Sequence, residues 1–216
     1  MNNMTKFAGT ASLLRLALRR DRFILPVWVI LPCLAFWGQI SFTMAMPDWQ
    51  VFLAELSASP LTAAILGPIV PLSFEGAILW RSMVQGALVL VIAIPLVVIR
   101  HTRSEEASNR AEFYLSRPVG KFAPFMATLI LSMGGSFIAG VLVTIVLLIS
   151  GFASAGSILA GLTLAFAGCF SAGLAFIIAQ IFTAPKSAWI AIAVLISAFY
   201  FTMMMNNLAG GVSAWL

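Results

Sequence analysis

The sequence predicts an all-α fold, a polytopic bundle of transmembrane helices. Three observations support this fold class: the composition, five uncharged apolar stretches, and the confinement of charge to the segments between them. Hydrophobic residues make up 62% of the 216 residues and charged residues 9%, whereas an average soluble domain is about 25% charged. Each stretch approaches or exceeds the length of about 20 apolar residues that spans a bilayer.

The five predicted spans share the absence of Lys, Arg, Asp and Glu. They cover residues 23–44, 82–99, 122–150, 158–182 and 188–205. The absence has a physical cause, because a charge at the centre of a spanning helix costs about 2.5–3.5 kcal/mol on insertion. Pro26, Pro32 and Pro95 lie inside these spans and predict kinks rather than breaks, since neighbouring helices can satisfy the freed carbonyls.

The distribution of basic residues predicts the orientation of the spans. Basic side chains precede the first span, follow the second, and lie between the fourth and the fifth, on one side of the membrane if five spans alternate. The other side receives residues 45–81 and the uncharged turn 151–157. By the positive-inside rule the N-terminus is cytoplasmic, in a multi-pass protein of the cell membrane, either a plasma or an inner membrane.

The first segment, residues 4–22, is predicted to form a basic amphipathic helix in the headgroup plane of the membrane. Leucines and alanine alternate there with arginines, a pattern typical of interfacial helices. The pair Arg19-Arg20 before an apolar run also resembles a twin-arginine export signal. The apolar run is longer than the core of such a signal and four further spans follow it, so the interfacial helix is favoured.

The external segment 45–81 is too polar to span the membrane. Trp49 and the apolar residues around Glu55 indicate a short helix at the outer interface, and Pro60, Gly67 and Pro68 interrupt helical structure after it.

Small residues spaced by four recur in the third and fourth spans. They form the pairs Gly135 and Ala139, Ser136 and Gly140, Gly161 and Ala165, and Gly168 and Ala172. This spacing lets helices approach closely and predicts helix packing, for instance between two halves of an assembly.

Several function classes lose support from the composition of the spans. The spans hold no acidic residue and no His, which argues against an ion-driven pump, and no catalytic carboxylate pair or Ser/His arrangement lies at membrane depth. Cys33 and Cys169 lack the spacing of a metal site or structural disulfide. Membrane topology explains the net charge of +5 better than nucleic-acid binding does.

One island of charge, residues 100–121, stands between the second and third spans and holds eight of the nineteen charged residues. Residues 104–116 are predicted to form a short helix with Ser104 as its cap, Glu105 and Glu106 at its positive end, and a Glu106–Arg110 pair at i,i+4. Such a helix is a natural contact for a soluble partner. A solvated loop that merely joins two spans is the alternative, and local physics does not separate the two.

The order of these features resembles the membrane subunit of a type-2 ABC exporter. More narrowly, the string Arg100-His101-Thr102-Arg103, followed by Glu105-Glu106, Arg110, Glu112 and Pro118-Val119-Gly120-Lys121, is similar to the polyketide-antibiotic and multidrug exporter permeases. Leu18-Arg19-Arg20-Asp21-Arg22 and Leu66-Gly67-Pro68 occupy positions where that family has related residues. Asn109 departs from the family, where a Gly is expected.

The resemblance implies one ABC-2-type transmembrane domain over residues 1–216 and a division of labour. The chain would move a lipophilic antibiotic, drug or lipid, with substrate-binding residues unidentified. A separate ATP-binding subunit would hydrolyse ATP and push on the helix 104–116, the coupling helix of such permeases. No phosphate-binding loop of the G-x-x-x-x-G-K-[ST] type occurs in this sequence, so no enzymatic activity and no cofactor are expected for this chain itself. Glu105, Glu106, Arg110 and Glu112 are the predicted contacts to that subunit.

Permeases of this family have six spans in each half, whereas five are clear here. Residues 206–216 are too short to form a sixth. We therefore expect a fragment, a split gene product or the first half of a longer permease, which needs a second permease half or a homodimer mate, with membrane lipid around it. A non-transporting scaffold or assembly factor that docks a soluble protein through the same helix is the alternative function.

Overall fold

The structure is a computed structural model, which describes residues 6–67, 73–108 and 119–209. The described residues form helices connected by short turns. In chain order the helices are α1 Thr10–Arg20, α2 Ile24–Ala45, α3 Trp49–Ala58, α4 Pro60–Leu66, α5 Phe74–His101, α6 Arg103–Ala107, α7 Ala123–Ile149, α8 Ser154–Ile181 and α9 Pro185–Leu208. The predicted all-α fold class is confirmed.

Five of these helices, α2, α5, α7, α8 and α9, are long and apolar enough to cross a membrane. They have 22, 28, 27, 28 and 24 residues. The second begins at Phe74, before the apolar stretch at residue 82, because the Ser73 hydroxyl accepts a hydrogen bond from the Gly76 N–H at 3.0 Å and caps the helix. Its first turn carries Glu75, which suits the positive end of a helix. Both α2 and α5 continue through their internal prolines, Pro32 and Pro95.

The core of the bundle is an apolar cluster shared by α2, α5, α7 and α8. Phe36, Leu90, Leu147 and Leu164 are completely or almost completely buried in it. These side chains come from one face of each helix, while large apolar residues on the opposite faces remain exposed. Because a bilayer is as apolar as the core, helices of this kind need no polar outer face.

The closest helix packing, between α7 and α8, uses small residues from the predicted spacing. A Cβ atom added to Gly140 would meet the carbonyl oxygen of Gly161, and a Cβ on Gly161 would meet that of Gly140. Thr144 Oγ1 donates a hydrogen bond at 3.0 Å to Gly140 O and lies 3.2 Å from Ser157 O on the other helix. The small residues therefore pack two spans of this chain together.

The segment between the first two spans folds as α3 and α4, which meet at an angle of 89°. Pro60 begins α4, and the Ser59 hydroxyl accepts a hydrogen bond from Thr62 N–H at 3.4 Å. Three side chains donate to carbonyls at the end of α4: Trp80 Nε1 to Gly67 O at 2.9 Å, Tyr200 Oη to Ile65 O at 2.9 Å, and Asn207 Nδ2 to Ala64 O at 3.1 Å. These bonds satisfy carbonyls that a helix end leaves free.

The two ends of the bundle differ in charge. At one end lie α1, α6, the last turns of α5 and α8 and the first turns of α7 and α9; this is the charged end. At the other end lie α3, α4 and the turn between α7 and α8, where the Phe74 and Phe152 rings are 6.4 Å apart. Because the spans alternate in direction, the basic segments before the first span, after the second and between the fourth and fifth all lie at the same end.

Candidate functional site at the charged end

The charged end is organised around a buried carboxylate, Asp21, in the turn between α1 and α2. Asp21 is 1% exposed. Its Oδ2 lies 2.5 Å from His101 Nε2 and its Oδ1 lies 3.1 Å from Arg100 Nη2, both on the last turn of α5. A buried carboxylate is tolerated only when charges and hydrogen-bond donors compensate its lost hydration. Asp21 therefore fixes the N-terminal helix to the end of the second span.

A second ion pair joins the neighbouring residue Arg20 to the short helix α6. Arg20, the last residue of α1, pairs with Glu105 on α6. Glu105 is only 8% exposed, whereas the Arg20 side chain is 30% exposed, so the carboxylate is the buried partner of this pair. The last residue of α1 and the residue that follows it thus bind α6 and α5 respectively.

Arg103, the first residue of α6, extends the network to the fourth span. Its Nε donates a hydrogen bond to Ala179 O, in the last turn of α8, and its Nη1 pairs with Glu106. The last carbonyls of a helix lack partners within that helix and carry partial negative charge. A guanidinium is well suited to them because its donors are fixed in a planar fork.

The chain that returns from the island is bound to the segment before α1. Gly120 N–H donates to Ala8 O at 2.9 Å and Phe122 N–H donates to Lys6 O at 3.0 Å. Gly9, with φ 86°, lies next to Ala8, and a Cβ there would come within 3.3 Å of the Val119 side chain. Glycine favours this left-handed backbone, in which other residues are strained. Both ends of the island are therefore attached to the N-terminal segment.

The predicted coupling residues separate into distinct environments. Glu105 and Glu106 lie in α6, but Glu105 is buried against Arg20 whereas the Glu106 side chain is 53% exposed. Arg110 and Glu112 lie outside the described residues, as does most of the predicted helix 104–116, so their roles stay predictions.

The predicted cap of this helix is wrong. Helix α6 begins at Arg103, before Ser104, and no side chain caps it. Thr102 occupies the cap position, but its hydroxyl donates instead to Val98 O at 2.7 Å. Glu106 pairs with Arg103 at i,i+3. The predicted partner at i,i+4, Arg110, lies outside the described residues, so that pair stays a prediction.

Sequence reasoning did not assign a role to Asp21, Arg100 or His101, although all three lie in the strings that carry the family resemblance. Asp21 and His101 are eighty positions apart. Local spacing rules reach only three or four residues along a helix. The available signal was an isolated acid within an arginine-rich stretch before a span.

A separate apolar crevice lies within the membrane-spanning part, between α5, α8 and α9. It encloses about 480 Å³. Its walls include Met83, Leu88, Phe170, Leu174, Leu195 and Phe199, and polar side chains contribute little to them. Such a crevice accepts apolar groups through shape and burial of surface.

The fold and the site define a class: a multi-pass helical membrane protein that concentrates its charge at one end, around a short helix between its second and third spans. No protein-family model matches the chain. The chain is 38% identical over 199 residues to the multidrug efflux system permease protein Rv1217c of Mycobacterium tuberculosis. The alignment covers 89% of this chain and 36% of the relative, so the chain spans about a third of the length of the protein that it matches.

Proposed function

We propose that the chain is a membrane-spanning permease subunit of an ABC-2-type exporter, and that a separate ATP-binding subunit supplies the energy. The observation that carries the proposal is the similarity to a multidrug efflux permease over nearly the whole chain. The organisation of the charged end supports it, because a short helix with an exposed carboxylate follows the second span directly and is bound to α1 and to the end of α8. The charged end faces the cytoplasm of a cell with this protein in its plasma or inner membrane, in accord with the positive-inside rule.

The ATP-binding subunit acts on α6, and the ion pairs of the charged end pass the displacement on. A push on Glu106 moves α6, which follows α5 after a single residue. Because Arg103 holds α8 and Glu105 holds α1, these elements move with it. ATP-dependent contacts that differ between two states of the bundle would then bias inward-open against outward-open conformations.

The transported compounds are lipophilic. The apolar crevice between α5, α8 and α9 supports this class, because its walls offer almost no polar group to orient a hydrophilic solute.

A second permease half or a homodimer mate completes the pathway. Of the most apolar stretch of α9, 11% is buried within the bundle. The corresponding share is 50% for α5 and for α8. The exposed side chains of α9 include Ile190, Val194 and Phe199. This face can pack against further spans as readily as against lipid.

The proposal is tested with the chain, a second permease half or second copy, and a candidate ATP-binding subunit, purified together and reconstituted in proteoliposomes. We expect lipophilic compounds to stimulate ATP hydrolysis several-fold. Charge reversal at both Glu106 and Arg110 should abolish the stimulation, because their contacts to the ATP-binding subunit become repulsive. Reversal of Glu55, an exposed acid at the other end of the bundle, is the matched control.

Two outcomes contradict the proposal. A membrane scaffold that docks a soluble protein would show ATP hydrolysis that is independent of lipophilic compounds. Unchanged stimulation in the double variant would show that Glu106 and Arg110 do not couple ATP hydrolysis to transport.

A second prediction concerns the crevice. Leu174→Trp, which adds an aromatic side chain to a crevice wall, is expected to reduce the stimulation by the largest compounds most, because it occupies volume that they need. Val194→Trp on the exposed face of α9 adds the same side chain outside the crevice. Equal effects of both variants on transport in proteoliposomes would exclude the crevice from the pathway.

A further inference from the structure

A cavity at the charged end remains without a role in the proposed transport cycle. It encloses about 310 Å³ between α1, α6, the first turn of α7 and the last turn of α8. Its walls combine charged side chains with apolar ones: Arg20, Glu105, Lys121, Leu13, Leu16 and Phe125. The cavity therefore offers both ionic and apolar contacts at the depth where the spans end.

Two charged groups in its walls have unused bonding capacity. Glu105 is buried, and its Oε2 accepts no hydrogen bond even though the carboxylate pairs with Arg20. A buried acceptor without a donor costs about 1–3 kcal/mol. The Lys121 ammonium forms no ion pair in the described structure and lies 5.9 Å from the Phe122 ring centroid. The cavity thus lacks a hydrogen-bond donor for Glu105 Oε2, and the exposed Lys121 ammonium in its wall can bind an anion.

The apolar walls mark the side from which a ligand enters. Leu16 and Phe125 are 45% and 41% exposed, and they belong to the amphipathic helix α1 and to the first turn of the span α7. An interfacial helix lies at the headgroup level, with its apolar face toward the acyl chains. The polar walls of the cavity therefore lie at the level of headgroups and its apolar walls adjoin the acyl chains.

We propose that this cavity binds the headgroup of a phospholipid with a primary amine, of the phosphatidylethanolamine class. The ammonium donates to Glu105 Oε2, the phosphate accepts from Lys121 and from the remaining N–H groups of Arg20, and the acyl chains leave over Leu16 and Phe125. The buried Glu105 oxygen and the exposed Lys121 ammonium each gain a charge-assisted hydrogen bond, which is roughly twice as strong as a neutral one.

The proposal discriminates between headgroups. A choline headgroup carries the same charges, but its quaternary ammonium has no N–H to donate. A glycerol headgroup offers hydroxyl donors, but its lipid has a net negative charge and provides no cation for the Glu105 carboxylate. The structure therefore favours the primary amine over both, and the lipid becomes a stabilising element between α1 and α6.

The test is native mass spectrometry of the delipidated full chain in detergent, titrated with ethanolamine, choline and glycerol phospholipids of identical acyl chains. We expect the ethanolamine lipid to bind about tenfold more tightly than the choline lipid, the ratio for one hydrogen bond to a charged group. Glu105→Gln should remove most of this preference. Lys121→Gln should weaken both lipids alike, because both carry the phosphate. Glu55→Gln and Lys186→Gln, exposed residues outside the cavity, are the matched controls.

Lys121 makes no ion pair with the described residues, so Lys121→Gln preserves the fold and keeps the test decisive even if Glu105→Gln loosens α1. Equal affinity for ethanolamine and choline lipids, or tightest binding of the glycerol lipid, overturns the proposal. Unchanged affinity in Lys121→Gln overturns it as well. Glycerophosphoethanolamine, which lacks acyl chains, is expected to compete weakly; competition equal to that of the lipid would assign the cavity to a soluble amine phosphate and also overturn it.

Discussion

Asp21→Ala is expected to lower the free energy of unfolding by about 3–5 kcal/mol, the cost of removing one partner from a buried ion pair. Asp21 is 1% exposed and carries the negative charge between Arg100 and His101. Without it, the largely buried His101 loses its only described polar partner and Arg100 loses its counter-ion. The effect is measured as the shift in the SDS concentration that unfolds the purified chain, followed by circular dichroism.

Asp21→Asn should cost less than Asp21→Ala, because the amide still bonds to His101 although it cannot neutralise Arg100. Asp48→Ala removes the same side chain from an exposed position at the other end of the bundle and is expected to change stability by less than about 0.5 kcal/mol. If Asp21→Ala and Asp48→Ala were equally stable, the carboxylate would have no structural role at the charged end.

The spans were predictable because hydropathy acts on each segment separately. A stretch that enters the bilayer must be apolar along its whole length, whatever it packs against. The second span shows the limit of that reasoning. Its first turns carry Glu75 and Arg81, which hydropathy assigns to the aqueous segment. The helix nevertheless begins at Phe74, where Ser73 caps it, and Trp80 in its second turn donates a hydrogen bond to Gly67 O at the end of α4.

The charged end was predictable only in part, for a different reason. Positive charges identify it, and Glu105 and Glu106 lie in the short helix α6, which begins at Arg103. The pairing of Asp21 with His101 depends on the three-dimensional packing of α1 against the end of α5, which no local pattern encodes. Burial of Glu105 has the same origin, since its partner Arg20 lies on another helix. Adjacent acids in one turn therefore differ in exposure: Glu105 is buried in the cavity wall, and the Glu106 side chain is about half exposed.

These environments divide the roles of the two glutamates. Both glutamates line the cavity in which we place a lipid headgroup. The Glu106 side chain is 53% exposed and pairs with Arg103, so a soluble partner can reach it, whereas Glu105 is buried and its Oε2 accepts no hydrogen bond. A substitution at Glu106 should thus alter coupling without altering lipid preference, and Glu105→Gln should alter lipid preference first. The two proposals fail independently, because one is read from ATP hydrolysis and the other from lipid binding.

The second large effect is expected at the crossing of α7 and α8. Gly161→Ala places a Cβ against Thr144 Oγ1 and the Gly140 carbonyl oxygen. The backbone oxygen cannot move without shifting α7, so the helices separate and the overpacked crossing costs about 1–3 kcal/mol. Close approach of small residues is a main source of attraction between spans, because lipid and side chains are equally apolar. The measurement is again SDS-induced unfolding.

Gly173→Ala on the same helix is the matched control. A Cβ there meets nothing within 4 Å, and alanine replaces glycine in a helix with a gain of about 0.5–1 kcal/mol. The two substitutions are chemically identical and should change stability in opposite directions. Thr144→Ala in the Gly161→Ala background should restore part of the loss, because it removes one of the two clashing groups and leaves the Gly140 oxygen. Equal effects of Gly161→Ala and Gly173→Ala would mean that the crossing tolerates a wider separation and that the small-residue spacing does not set it.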